Sequence, residues 1–323
     1  MKNKYLKSLN FRFFLIASLF FFKATQLEAQ QTYSKEIGLI SDNDLYISTY
    51  YDRYYTNGTF LYFKSLAKTS RLKKIREFKI GHQMYTPEFA SSHTLQAIDR
   101  PYAGYIYARY SQLFFSDKNY GLKSSFELGL LGPDAKAQEL QNTIHAFYGF
   151  EDAEGWQYQI NNTLGINMQF LLLKPFSKSP KKRIDFTSSS TLQLGTIFSE
   201  LTTSIYTRIN LFSAPLTNYS NTILFGSNLN HKKGSQKKEL FIFIKPQIGY
   251  ALYNATIQGS LFNNNEANNF DVNSFIYEIE IGIKYAIKRF DLAYSFIKYS
   301  KKTQSIQQPT NNYGSIQIAF KLN

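Results

Sequence analysis

Phe275–Ile287 reads FIYEIEIGIKYAI, and its alternation decides the fold. Phe275, Tyr277, Ile279, Ile281, Ile283, Tyr285 and Ile287 share one face, whereas Glu278, Glu280, Gly282 and Lys284 share the other. Successive side chains of an extended chain point to opposite sides, so a period of two describes a strand with one apolar and one polar face. Leu240, Ile242, Ile244, Ile248, Tyr250 and Leu252 repeat the pattern, with Pro246 as an irregularity. Leu292, Tyr294 and Phe296 continue it, as do Ile316, Ile318, Phe320 and Leu322. Segments of about ten residues of this kind fit the wall of a transmembrane β-barrel. We expect an all-β, antiparallel barrel of about a dozen strands in one domain. Patterning alone does not say which side is wet, so a soluble β-sandwich or lipocalin-like barrel is the competing fold.

Composition favours the membrane. The chain is 17% aromatic, with 25 Tyr and 29 Phe against a single Trp, and its mean hydropathy is slightly negative. Many rings with modest hydrophobicity suit a barrel whose aromatic girdles mark the interfaces and whose lumen is polar. The start is an export signal: Lys2, Lys4, Lys7 and Arg12 precede the apolar run Phe13–Phe22, and small Ala29 follows at the expected cleavage point. We therefore expect residues 1–29 to be a signal peptide and 30–323 the mature barrel, at a net charge near +10 after the leader's charges are removed from +14. The absence of cysteine means that no disulfide holds this exported chain. A basic surface points to a phosphate-rich lipid surface; nothing resembles a nucleic-acid fold signature. Turn and loop signals lie at Asn57-Gly58, at Ser179–Arg183, at His231–Lys238 and in the Asn-rich stretch Asn263–Asn269. The chain ends on Leu322-Asn323 rather than on the usual aromatic residue.

One segment breaks the alternation. Gly132-Pro133-Asp134 has helix-start chemistry and Gly149 a stop, so a helix is expected over 133–148. Ala137, Leu140, Ile144 and Tyr148 form its apolar stripe; Gln138, Gln141 and His145 lie on the flank, where Gln141 is placed to hydrogen-bond the imidazole. His145 is one of four histidines, and the carboxylate Glu151 follows six residues later. A lone helix histidine is more often structural than catalytic, so these residues leave both readings open. Asn43-Asp44, after the first strand-like run, offers oxygen ligands suited to a hard cation such as calcium, or forms an ordinary turn. Thr56 either donates a hydroxyl or supports the Asn57-Gly58 turn. Asp99-Arg100 reads as an ion pair, or Arg100 meets a ligand phosphate.

Taken in order, Asn43-Asp44, Tyr55-Thr56-Asn57-Gly58, Met84-Tyr85-Thr86-Pro87, the run Asp99–Gly104 (DRPYAG), GPDA…QELQN…His145…Glu151 and Gly155-Trp156-Gln157 resemble the outer-membrane lipid A 3′-O-deacylase family (LpxR). The resemblance spans residues 36 to 165. It implies a twelve-stranded outer-membrane barrel that hydrolyses the 3′-linked acyloxyacyl ester of lipid A with calcium. It also implies roles: His145 as the general base, Asn43, Asp44, Thr56 and Glu151 as its partners in catalysis, and Asp44, Asn43 and Glu151 as metal ligands. One departure stands out. The family pattern carries a basic pair soon after the MYTP motif, whereas Glu88–Gln96 has neither Lys nor Arg, leaving His93 or Arg100 as substitutes. An outer-membrane phospholipase and a non-enzymatic pore or adhesion scaffold are the competing functions. A monomer is the expected state.

Overall fold

The structure, a computed structural model, describes residues 33–47, 53–67, 72–88, 98–118, 120–150, 152–176, 183–212, 215–230, 238–262 and 270–323. The expected signal peptide, Glu151, His93, His231, the Asn-rich stretch and most of the basic run at 179–183 lie outside these residues. Twelve strands close on themselves: β1 (Lys35–Asn43), β2 (Tyr54–Leu66), β3 (Lys73–Thr86), β4 (Ala103–Phe115), β5 (Gly121–Leu131), β6 (Thr163–Pro175), β7 (Ile184–Gly195), β8 (Phe198–Asn210), β9 (Glu239–Asn254), β10 (Phe275–Ile287), β11 (Phe290–Ser300) and β12 (Thr310–Leu322). Each pairs antiparallel with its sequence neighbours, and β1 closes against β12 from Lys35↔Leu322 to Asn43↔Gly314. Closure satisfies every strand edge, the condition for spanning a bilayer with strands. Among the described residues no helix is long and apolar enough to cross a membrane.

The two faces of each strand separate as the alternation requires. On β10, Phe275, Tyr277, Ile281 and Ile283 are exposed on the outside, while Glu278, Glu280 and Lys284 point into the lumen and pair with Lys245 and Gln317. Leu122, Phe126, Leu128, Leu164, Met168 and Phe170 belong to the same outer belt. Inside, ion pairs join nearby strands along the inner wall. Lys64 meets Glu36 at 2.9 Å, Lys123 meets Glu77 at 2.9 Å, and Lys321 meets Asp291 at 2.6 Å. An apolar belt outside and paired charges inside make an inverted protein, which is stable only with lipid around it. Pro246 sits within β9 as an irregularity: the β8–β9 ladder steps from Ser204↔Gln247 to Thr207↔Ile244, because proline has no amide hydrogen to donate.

The chain termini mark one end of the barrel, and the long connections 87–102, 132–162 and 255–274 mark the other. Long loops face outward in outer-membrane barrels, so the second end is the extracellular rim. Between β8 and β9, the described residues 215–230 lie at the terminal end and fold into the lumen. Among them Tyr219, Ile223 and Leu224 pack on Ile75, Phe115, Leu173, Phe241 and Phe243, which face inward from the wall. Arg208 ties this plug down by donating to Asp185 Oδ1 at 2.9 Å, to the Thr222 hydroxyl at 2.9 Å and to the Thr217 carbonyl at 2.9 Å. Among the described residues two α-helices complete the fold, α1 (Ala137–Tyr148) and the single turn α2 (Ala255–Gln258).

Two expectations change. Asn57-Gly58 is not a turn: both residues lie within β2, where Asn57 pairs with Asn43 and Gly58 with Asp42. The glycine is there for space, since a Cβ at position 58 would collide with the Tyr55 hydroxyl. The helix also begins later than Pro133. A 3-10 turn spans Pro133–Ala135, Lys136 adopts the left-handed conformation (φ 58°), and only then does α1 start; Gly149 ends it with φ 74°.

Candidate active site

A β-bulge builds the first part of the site. The β2–β3 register runs Tyr55↔Tyr85 and then Asn57↔Met84, so Thr56 is the extra residue. A bulge re-aims the side chain it carries. Here it turns the Thr56 hydroxyl onto Asp44, to which it donates at 3.2 Å. Asp44 follows the last residue of β1 in a 3-10 turn, Asp44–Ile47, and is only 1% exposed. Its carboxylate also accepts from the Arg53 amide at 3.3 Å, and Asn43 Oδ1 accepts from the Leu45 amide at 2.7 Å. The structure thus brings Asn43, Asp44 and Thr56 together. Tyr54, just before the bulge, is one of three non-glycine residues with positive φ among the described residues (63°), and its hydroxyl donates to Asp99 Oδ2 at 2.9 Å. Backbone of this kind is held only where surrounding contacts over-determine it.

The second part is α1, which docks on the outer side of the barrel wall at the rim. His82 and Met84 of β3 lie on the face that carries exposed Phe78 and Ile80 lower down. His82 Nε2 donates to the Ala135 carbonyl at 2.9 Å, and a Cβ on Gly104 of β4 would come within 2.5 Å of the Ala137 Cβ. Met84, Ile98, Tyr102, Ala137, Ala153 and Trp156 form one buried cluster there. Fully buried Trp156 stacks beside Tyr102 with centroids 5.2 Å apart and donates its indole N–H to Gln141 Oε1 at 2.8 Å. Gln141 Oε1 is therefore engaged by Trp156, which fixes the side chain one turn before His145. The DRPYAG and GWQ motifs serve this docking: Gly104 admits the helix, while Tyr102 and Trp156 seat it.

His145 stands one turn beyond Gln141, half-buried, with its ring edge-on to Phe150 at 5.8 Å. The link from the Asp44 group to α1 runs across the strands. Asn43 pairs with Asn57, Asn57 with Met84, and Met84 packs in the cluster that holds Ala137. Neighbouring strands lie about 4.8 Å apart, so Asn43 and Met84 are separated by about 10 Å across the wall. Glu151, the remaining residue of the expected set, lies outside the described residues.

The donors near Asp44 are all oxygens, the choice of a hard cation. Among the described residues no three His, Cys, Asp or Glu gather as a metal cluster. The protein thus offers one buried carboxylate and amide or carbonyl oxygens, a set that fits calcium, which accepts six to eight oxygens in loose geometry, better than zinc.

Arg100 does not take the place of a phosphate-binding pair. It is 3% exposed and turned to the barrel mouth, where its guanidinium donates to the Thr256 carbonyl at 3.0 Å and hydroxyl at 3.2 Å and lies 4.7 Å above the Tyr85 ring. Burial pulls its pKa below the ordinary value, and these contacts offset that penalty. Asp99 instead holds Tyr54 and the Glu88 amide, at 3.0 Å for the latter. The sequence reading missed Arg53, whose amide binds Asp44 and whose side chain, 24% exposed, reaches Glu88 at 3.7 Å. Tyr54 stands in the motif run before Thr56 but has no role in the sequence reading; Arg53 and Tyr54 both precede the bulge, and only the registers of β1 and β3 against β2 reveal that.

Comparison with known proteins agrees with this architecture. The family described as "Outer membrane protein LpxR" matches residues 13–322. Among solved structures, LpxR from Salmonella typhimurium superposes with a TM-score of 0.71 at 20% identity, covering 89% of this chain and 100% of that one. The translocator domain of the autotransporter NalP from Neisseria meningitidis has a TM-score of 0.44 at 9% identity, covering 92% of this chain and 91% of its own. No curated protein matches at the sequence level. The family match reaches well beyond residues 36–165, the part whose motifs carry the resemblance, and takes in the C-terminal strands that sequence patterning alone marked as barrel. The chain belongs to the LpxR family of outer-membrane proteins and resides in the outer membrane.

Proposed function

We propose that this protein removes the 3′-linked acyloxyacyl chain of lipid A by calcium-dependent ester hydrolysis. The observation that carries the reading is the Thr56 bulge, which points a hydroxyl at buried Asp44 at the extracellular end of the barrel, in the same row of strand pairs that leads to the helix bearing His145. Substrate esters of an outer-leaflet lipid lie at that depth, whereas the inner wall carries ion pairs between nearby strands and the lumen holds the plug residues of 215–230.

In this mechanism neutral His145 accepts a proton from water, which attacks the ester carbonyl; the imidazolium then returns the proton to the leaving alkoxide. Asp44 and Asn43, with Glu151, would hold calcium, which when bound supplies Lewis-acid stabilisation to the oxyanion. Thr56 fixes the Asp44 carboxylate so that its orientation costs nothing during the reaction. Burial keeps the Asp44 carboxylate and the Thr56 hydroxyl from bulk water.

The test is mass spectrometry of lipid A from cells making the wild-type chain or His145→Ala. Loss of the 3′ acyloxyacyl mass in the wild type and its retention in the variant support the reading; an untouched acyl pattern in the wild type with calcium present overturns it. Loss of a glycerophospholipid acyl chain instead would assign a phospholipase.

A further inference from the structure

We infer that α1 is an interfacial anchor, with the flank Leu140–Ile144–Phe147 immersed in the acyl chains of the outer leaflet and His145 held on the opposite, headgroup-facing flank. An α-helix advances about 100° per residue, which sorts its side chains by direction. Taking Ala137 on the wall as the reference, Gln141 lies next to it, Leu140, Ile144 and Phe147 fall together on one side, and Gln138, Asn142 and His145 fall on the other.

The polar side is occupied from the rim. Gln141 accepts from Trp156, which stacks on Tyr102, two residues rimward of Gly104; the Asn142 side chain accepts from the Ala153 amide at 3.3 Å. The apolar flank therefore faces down the wall, and there Phe147 is 69% exposed. Directly below the docking point runs an exposed apolar row. Ile106 is the next outward residue after Gly104, and it pairs with Leu130, which pairs with Leu164. These three are 37%, 43% and 58% exposed, and Ile80 on β3 adjoins them at 47%. The apolar flank of α1 continues the belt that the barrel already presents to lipid, and a helix with one apolar and one polar flank lies in the interface plane.

The consequence for chemistry rests on the deacylase reading: with Phe147 among acyl chains, a base on the opposite flank meets ester bonds at the headgroup boundary. The placement itself is tested without activity. The chain has no cysteine, so Phe147→Cys and Gln138→Cys each accept one environment-sensitive fluorophore. Both variants of the full chain are refolded into phosphatidylcholine–phosphatidylethanolamine vesicles with a nitroxide quencher either in the acyl chain or in the aqueous phase. The inference predicts a blue-shifted label at 147, quenched by the acyl-chain nitroxide, and a label at 138 quenched from water. Equal quenching at both sites, or the reverse order, would overturn it. Shielding at 147 that appears only at high protein-to-lipid ratio would assign the flank to a second copy and overturn it equally. Because no turnover is measured, failure here leaves the deacylase reading standing, and an inactive enzyme leaves the anchor standing.

Discussion

At the scale of single residues, the site depends on a few groups whose roles separate by substitution. A general base contributes on the order of 10²–10⁴-fold in rate, so His145→Ala is expected to lower lipid A turnover by that factor while the folded barrel persists. Asp44→Asn removes the one carboxylate in the described oxygen set and is expected to raise the calcium concentration needed for half-maximal turnover; an unchanged calcium response would remove Asp44 from the metal site. Thr56→Ser keeps the hydroxyl that donates to Asp44 and should retain most activity, whereas Thr56→Ala should not, which turnover at fixed calcium reads directly. The Asn43-Asp44 and Thr56 motifs were visible in the sequence, but the reason for their proximity was not. Asn57-Gly58 carries the dipeptide signal of a hairpin turn, and only the pairing of β2 with both neighbours shows it as mid-strand with a bulge beside it.

At the scale of elements, α1 is the structural departure from a plain barrel, and its seat is specific. Trp156→Phe keeps the ring but removes the indole donor, leaving buried Gln141 Oε1 without that bond; such a loss costs about 1–3 kcal/mol. Hydrogen exchange should then quicken across residues 137–148 while the strand amides stay protected. Uniform exchange across the whole chain would mean that Trp156 supports the barrel itself. The helix was legible from its composition and from Gly149, yet its start was not. Pro133 at a helix-like first position sits in a 3-10 turn, because the chain must leave β5 and cross over Gly104 before a helix fits. The bond from the Trp156 indole to Gln141 was not legible, because the indole lies fifteen positions on, beyond the reach of local spacing.

At the scale of the whole molecule, strand periodicity carried the fold. The face shared by Phe275, Tyr277, Ile281 and Ile283 is lipid-facing, and the opposite face fills the lumen with paired charge. What periodicity does not reveal is the plug, since residues 215–230 have no repeat and share their buried cluster with residues of β3, β4, β6, β9 and β10. A closed lumen predicts no steady conductance from the wild-type chain in a planar bilayer; a stable open channel would contradict it. Removing the Arg208 guanidinium would strand the Asp185 carboxylate it holds, and breaking such a buried pair costs about 3–5 kcal/mol. Arg208→Ala should therefore lower the thermal midpoint of the barrel. The central claim is that the rim site, and not the lumen, does the chemistry on lipid A. Its most direct measurement is the mass spectrum of lipid A incubated with purified wild-type chain or His145→Ala, each with calcium and with a chelator. The account predicts release of the 3′ acyloxyacyl group only by the wild type with calcium; unchanged lipid A there, or equal release by the His145 variant, would contradict it.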